Sequence, residues 1–178
     1  MDKKVAIALQ EMIRRNRGDQ KRIEHSLKVF AYAQLLGRLE GLDPAKQFVL
    51  ELTAILHDIG IHVSEAKYGY CDGQLQEQEG PPVARAILEN IPVSPEVVDR
   101  VCFIISKHHT FSAIDDIDFQ LLVEADFLVN AVEEEVSPEG IKKFVEMNFK
   151  SESGRKVIGG VVSYGTIISF FLDALALV

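Results

Sequence analysis

Residues 48–60 read FVLELTAILHDIG, and this stretch decides the fold. It follows Asp43-Pro44, an N-cap residue with proline at the first helical position. The helix so started runs through His57-Asp58 and breaks at Gly60. Directly behind the apolar run Ala54-Ile55-Leu56, a His and an Asp are awkward for a plain core helix end. A carboxylate there faces the negative end of the backbone dipole, at a cost of a few tenths to about 1 kcal/mol. Asp58 therefore calls for a positive charge nearby. A metal cation would supply it, since neutral imidazole and carboxylate are both ordinary ligands. Successive helix residues point about 100° apart. That suits two neighbouring ligands of one octahedral ion better than a mutual hydrogen bond.

Outward from this stretch the period is helical almost throughout. Residues 2–16 form a short amphipathic helix ended near Gly18. Residues 21–40 place Ile23, Leu27, Phe30, Ala31, Leu35 and Leu39 near one side, and Gly41 stops them. Residues 62–74 show no period and read as a loop. Helices resume at 80–90, at 95–108 behind Ser94-Pro95, at 118–135, and at 138–148 behind Ser137-Pro138. No repeat, low-complexity stretch or linker divides the chain. The expectation is an all-α, single-domain helical bundle over residues 1–178, with a core motif region at 22–130 and C-terminal helices at 137–178. Sites in such bundles are built from side chains on facing helices.

Composition narrows the function. The 178 residues are 47% apolar, which excludes a disordered chain, and a net charge of −8 argues against extended nucleic acid as a partner. Cys71 and Cys102 are too few and too isolated for a disulfide scaffold. Charges interrupt the N-terminal residues before any apolar run could serve as a signal peptide. A cytoplasmic location fits best. Residues 157–172 carry no charge, but Gly159, Gly160, Ser163, Gly165, Thr166 and Ser169 weaken them as a membrane span. A buried terminal helix or a homodimer interface is the expected use of this apolar C-terminal segment.

Two further positions make the same demand as Asp58. His25 lies on a helix face that continues through Val29, Tyr32 and Leu36. Asp126 is embedded in LLVEADFLVNAV, where an unpaired buried carboxylate would cost several kcal/mol or be protonated. A cation is one solution; an Arg or hydroxyl partner is another. Taken singly, a His on an apolar face is usually a hydrogen-bonded core residue, and a helical Asp usually pairs or points to water.

The order His…His-Asp…Asp changes that reading. RIEHSLKVFAYAQLL, TAILHDIG and VEADFLVNAV, in this order, resemble the three metal-binding segments of the HD superfamily of metal-dependent phosphohydrolases. The resemblance covers residues 22–130 and implies an HD-domain-like, all-helical fold. It implies His25, His57, Asp58 and Asp126 as metal ligands. In many two-metal relatives a His begins the next helix; here QEQEGPP places Gln76 there. ISKHHTF resembles the family's downstream His motif, so His108 and His109 could serve a second ion or a phosphate. The expectation is one tightly held ion per chain.

The mixed nitrogen and oxygen set suits Mn²⁺, Fe²⁺, Co²⁺, Ni²⁺ or Zn²⁺, and Mg²⁺ less well. The implied chemistry is attack of metal-activated water on phosphorus. Asp58 is a candidate to take the water's proton, and His57 shares the catalytic dyad. Lys107, His108 and His109 are the first candidates to offset transition-state charge, with Arg22 and Lys67 next as substrate-binding cations. Departures from family patterns narrow the substrate. Ile61 replaces the Lys that follows HDIG in the cyclic-dinucleotide phosphodiesterases, and HHTFSAID replaces their downstream motif. Ile61-His62 also do not fit the alarmone hydrolases. What remains resembles small stand-alone members acting on a nucleotide or another small phosphate ester. Tyr68, Tyr70 and Phe111 could stack on a base or simply pack. The competing readings are a non-catalytic HD module that binds a nucleotide or partner, and a di-iron oxygenase, against which Gln76 counts.

Overall fold

The computed structural model describes residues 1–161. Among them the chain forms nine α-helices and one 3₁₀ turn, all-α as expected. They are α1 (Lys3–Arg15), α2 (Gln20–Leu39), α3 (Pro44–Leu56), α4 (Ile61–Tyr68), α5 (Gly73–Leu88), α6 (Pro95–Ile105), α7 (Ile117–Glu133), α8 (Pro138–Asn148) and α9 (Glu152–Val161), with the 3₁₀ turn at Phe111–Ala113. Of the apolar segment 157–172, only residues 157–161 are described, as the end of α9; its expected burial, and the dimer through it, rest on residues outside the described ones. No described helix is long and apolar enough to cross a membrane.

Helix starts follow the capping chemistry in the sequence. Asp43 accepts from the backbone N–H of Ala45 at 2.9 Å and of Lys46 at 3.0 Å, with Pro44 in the first turn. Asp2, Asp19, Asp72, Asp116 and Ser137 cap their helices in the same way, each worth about 0.5–2 kcal/mol. Helices α2, α3 and α7 pack on one another at the centre. The fully buried Leu36, Leu50, Leu52, Ile55, Leu56, Phe119 and Leu121 fill the space around them. Helix α1 covers α3, the α5–α6 pair closes the other side through Ile104 and Ile105, and α4 rests on α5.

Three expectations are corrected. The side of α2 read as core-facing is wrong by a rotation. Leu27, Ala31, Leu35 and Leu39 are exposed, Leu39 to 60%, while the buried side carries His25, Ser26, Val29, Phe30, Ala33, Leu36 and Gly37. Small and polar residues lie inward because α3 comes close: a Cβ on Gly37 would overlap the Gln47 side chain. Residues 62–74 are not a loop throughout. Residues 61–68 form α4, which buries only Ile61 and Ser64 and so leaves no apolar period to read. It ends at Gly69, whose φ of 81° is the left-handed conformation that glycine adopts without strain. Finally, α5 starts at Gly73 rather than near residue 80. Pro81 and Pro82 sit inside it, although proline normally marks a helix's first turn.

The turn between α3 and α4 fixes the His57-Asp58 segment. A Cβ on Gly60 would come within 2.5 Å of the Gly80 backbone nitrogen on α5, a clash of backbone with backbone that no side-chain rotation relieves. Gly60→Ala is expected to destabilise the protein by about 1–3 kcal/mol. Urea unfolding of the variant beside the wild type measures it; an unchanged midpoint would show that α5 does not press on this turn.

Candidate metal centre

The start of α2, the end of α3 and the middle of α7 meet at one point. His25 enters from α2, His57 and Asp58 from the turn after α3, and Asp126 from α7. His25 Nε2 and His57 Nε2 are 3.3 Å apart. Asp126 Oδ1 is 3.2 Å from His25 Nε2 and 3.5 Å from His57 Nε2, and Asp58 Oδ2 is 3.6 Å and 3.5 Å from the same two nitrogens. The structure thus brings together the four residues singled out in the sequence.

The outer edges of the two rings show which way the lone pairs point. His57 Nδ1 lies 2.9 Å from the Ala54 carbonyl oxygen, which can only accept, so Nδ1 carries the proton. His25 Nδ1 lies 2.9 Å from a Glu133 carboxylate oxygen, and the same logic applies. Each neutral ring then turns an unprotonated Nε2 inward. Asp126 Oδ1 is buried and, among the described residues, receives no hydrogen bond. Four electron-rich atoms converge with nothing donated between them, which is stable only around a positive species. Ligand atoms about 2.1 Å from an ion sit roughly 3.0–3.4 Å apart at octahedral or tetrahedral angles. The observed spacings are close to that range, and two imidazoles with two carboxylates are a suitable donor set for a divalent transition metal. The residues fit such an ion.

Without an ion, protons answer the same demand. Burial opposes charge on His57, but the carboxylates of Asp58 and Asp126 outweigh it and raise its pKa to about 9. His25 is raised too, against burial, chiefly by Asp126. Burial likewise opposes charge on the two acids, yet the histidines hold both well below the usual carboxylate range, His57 foremost for Asp58 and His25 foremost for Asp126.

The remaining candidates are placed less uniformly. His108 is buried, with Nδ1 donating to the Ile105 carbonyl at 2.7 Å and Nε2 unpartnered, 3.8 Å from Asp58 Oδ1. One ligand atom each from Asp58, His108 and His109 lie within 4.8 Å of one another, a second cluster sharing Asp58 with the first. His109 Nε2 is engaged by Gln76 Oε1, so Gln76 occupies the region its position implied. His109 is exposed by surface area, yet loss of water around its ring and the adjacent His108 push its pKa down to about 4, which favours the neutral form.

The three cations differ in what they already hold. Arg22 is held by Asp19 at 2.8 Å and Glu65 at 2.6 Å, Lys67 is paired with Glu79, and Lys107 is exposed beyond the end of α6. Of the aromatics, Phe111 packs edge-on against Phe144 at 5.3 Å, Tyr68 donates to Glu79 at 3.0 Å, and Tyr70 is exposed. Sequence reasoning missed Glu133 and Lys28. The signal for Glu133 was its distance from Asp126: seven residues, two turns, put both on one face of α7.

Comparison with known proteins agrees with this geometry. A model of the HD domain matches residues 22–144, well over half of the chain and the span that carries all four converging residues. Among solved structures, the chain is similar to the crystal structure of a "predicted HD superfamily hydrolase" from an uncultured Thermotogales bacterium. The TM-score is 0.64 at 22% identity, over 97% of this chain and 90% of that one, a likeness of fold. No match is found among curated proteins. With its helices arranged around His25, His57, Asp58 and Asp126, the chain belongs to the HD domain family.

Proposed function

We propose that this protein is a metal-dependent phosphohydrolase acting on a nucleotide or another small phosphate ester. One observation carries the reading: the inward nitrogens of His25 and His57 lie within 3.6 Å of each other and of a carboxylate oxygen from both Asp58 and Asp126, and among the described residues buried Asp126 Oδ1 receives no hydrogen bond. These four residues would hold one divalent ion. When bound, such an ion lowers the pKa of a water and withdraws charge from a phosphoryl oxygen.

The chain's own groups supply the rest. His57 and His25, each tied at Nδ1, present Nε2 without rearrangement, so the cluster is organised before a ligand arrives. Asp58 offers Oδ2 to the cluster and Oδ1 towards His108, which places it between the two. Because His108 Nδ1 is committed to the Ile105 carbonyl, its Nε2 is free to accept a proton or a hydrogen bond at Asp58's edge. His109, neutral and engaged by Gln76, serves as a polar wall. With Nε2 taken by Gln76, His109 has one ring nitrogen fewer to offer beside Asp58 and His108, which favours one ion per chain. Lys107 is the cation left to approach a phosphate, since Arg22 and Lys67 are already paired with carboxylates.

His57→Ala and Asp126→Ala are each expected to lose their bound metal and about 100-fold or more of phosphatase activity. The apolar core between α3 and α7 should keep them folded. Metal analysis and turnover with a panel of nucleotides and sugar phosphates in Mn²⁺ test this. Full activity in Asp126→Ala would remove the assignment.

Removing the metal should also expose the proton's role. A folded-state pKa raised to about 9 from an unfolded 6.5 means that His57 stabilises the metal-free protein fully below pH 6.5 and loses that contribution as pH rises through 9. In chelator, the melting temperature should therefore fall by several degrees between pH 6.5 and 9. With metal restored the fall should flatten. Melting curves across that range, with and without chelator, measure both.

A further inference from the structure

The two histidines of the cluster are held from behind in different ways. His57 Nδ1 donates to a neutral acceptor three residues earlier in its own chain segment, the Ala54 carbonyl. His25 Nδ1 donates to a carboxylate 108 residues away, Glu133 Oε2, at 2.9 Å. The other oxygen of that carboxylate accepts from Lys28 Nζ at 2.9 Å. Lys28 stands one turn after His25 on α2, so one helix supplies both the ring and the cation, and α7 supplies the acid between them. Glu133 is largely buried while Lys28 is half exposed, so a chain of charged hydrogen bonds runs from the surface to the cluster.

The placement of Glu133 is not explained by helix energetics. It is the last residue of α7, where the backbone dipole disfavours a carboxylate. An acid kept largely buried at an unfavourable helix end, with its two oxygens divided between a histidine and a lysine, suits a task at the histidine. A carboxylate behind a ligating imidazole fixes the tautomer and ring angle and makes the inward nitrogen a stronger donor.

We propose that Glu133, braced by Lys28, is a positioning residue that sets His25 as the stronger of the two imidazole donors to a divalent ion. The inference rests on the metal-holding role proposed above for His25. Helix α7 then serves the centre twice, through Asp126 within the cluster and Glu133 behind it.

Zn²⁺ is the probe, because it is diamagnetic and a competing chromophoric chelator reports its affinity. In the Zn²⁺-loaded wild type, His25 Nδ1–H should give a downfield, slowly exchanging proton signal. Glu133→Ala should lose that signal and bind Zn²⁺ 10–100-fold more weakly. Glu133→Gln keeps an acceptor oxygen, so it should retain the signal and recover part of the affinity. Lys28→Met should retain the signal with a loss of a few-fold. Glu133→Ala that is folded and holds Zn²⁺ as tightly as wild type, signal intact, overturns the proposal. Should that variant not fold, unchanged affinity in both Glu133→Gln and Lys28→Met overturns it instead. Failure of the wild type itself to bind Zn²⁺, Mn²⁺ or Fe²⁺ would remove the metal reading, a result distinct from any of these.

Discussion

Burying two carboxylates and two imidazoles with their lone pairs facing one another is costly unless something positive lies among them. That constraint organises the structure. Helices α2, α3 and α7 come together where His25, His57, Asp58 and Asp126 meet, and among the described residues no group outside the cluster donates to Asp126 Oδ1 or to the inward ring nitrogens. Protons can fill the role at neutral pH, which is why both histidines are pulled towards the charged form. A divalent ion fills it better, since one charge centre then answers all four groups at once. Protons and ion compete for the same lone pairs, and the fold supplies the lone pairs either way.

The surroundings are built to keep those groups still. Three of the four stand in or directly after helices whose neighbouring residues are packed into the core: Leu56 before His57, Leu128 and Val129 beyond Asp126, Val29 beyond His25. The turn carrying His57-Asp58 is pressed against α5 at Gly60, whose missing side chain lets it touch the Glu79-Gly80 backbone, while Gly80 leaves room for the Ile105 side chain. A second rigid element lies farther along α7. Buried Glu124 accepts from Lys150 N, Ser151 N and Gln120, which fastens the start of α9 to α7 two residues before Asp126. Packing and buried polar networks thus reach the same helix from both sides.

How much of this was legible in the sequence depends on what each signal encodes. His57-Asp58 and Asp126 could be read because a charge in an apolar run is a local contradiction, visible without any partner. The caps at Asp43-Pro44 and Ser137-Pro138 were legible for the same reason. The rotation of α2 was not: Leu27, Leu35 and Leu39 outnumber the small residues Ser26, Ala33 and Gly37 in hydrophobicity, while close approach to α3 selects size. Helix α4 escaped because it is held by tertiary contacts, Arg22 to Glu65 among them, and buries too little to leave a period. Glu133 was the most recoverable miss, two turns from Asp126 on the same face. The order of the three segments carried the family, and nothing local would have replaced it.

Charge around the centre bears on how a phosphate could be met. Cations near a candidate phosphohydrolase site look like phosphate ligands in a sequence, because spacing shows where a lysine or arginine is and not what it already holds. Here Arg22 is divided between Asp19 and Glu65, Lys67 belongs to Glu79, and Lys28 to Glu133. Each would have to abandon a carboxylate to reach a substrate. Its surroundings push the His109 pKa down, and the chain as a whole carries −8. On the proposed reading, with these cations already paired, the centre itself provides most of the attraction for a phosphoryl group.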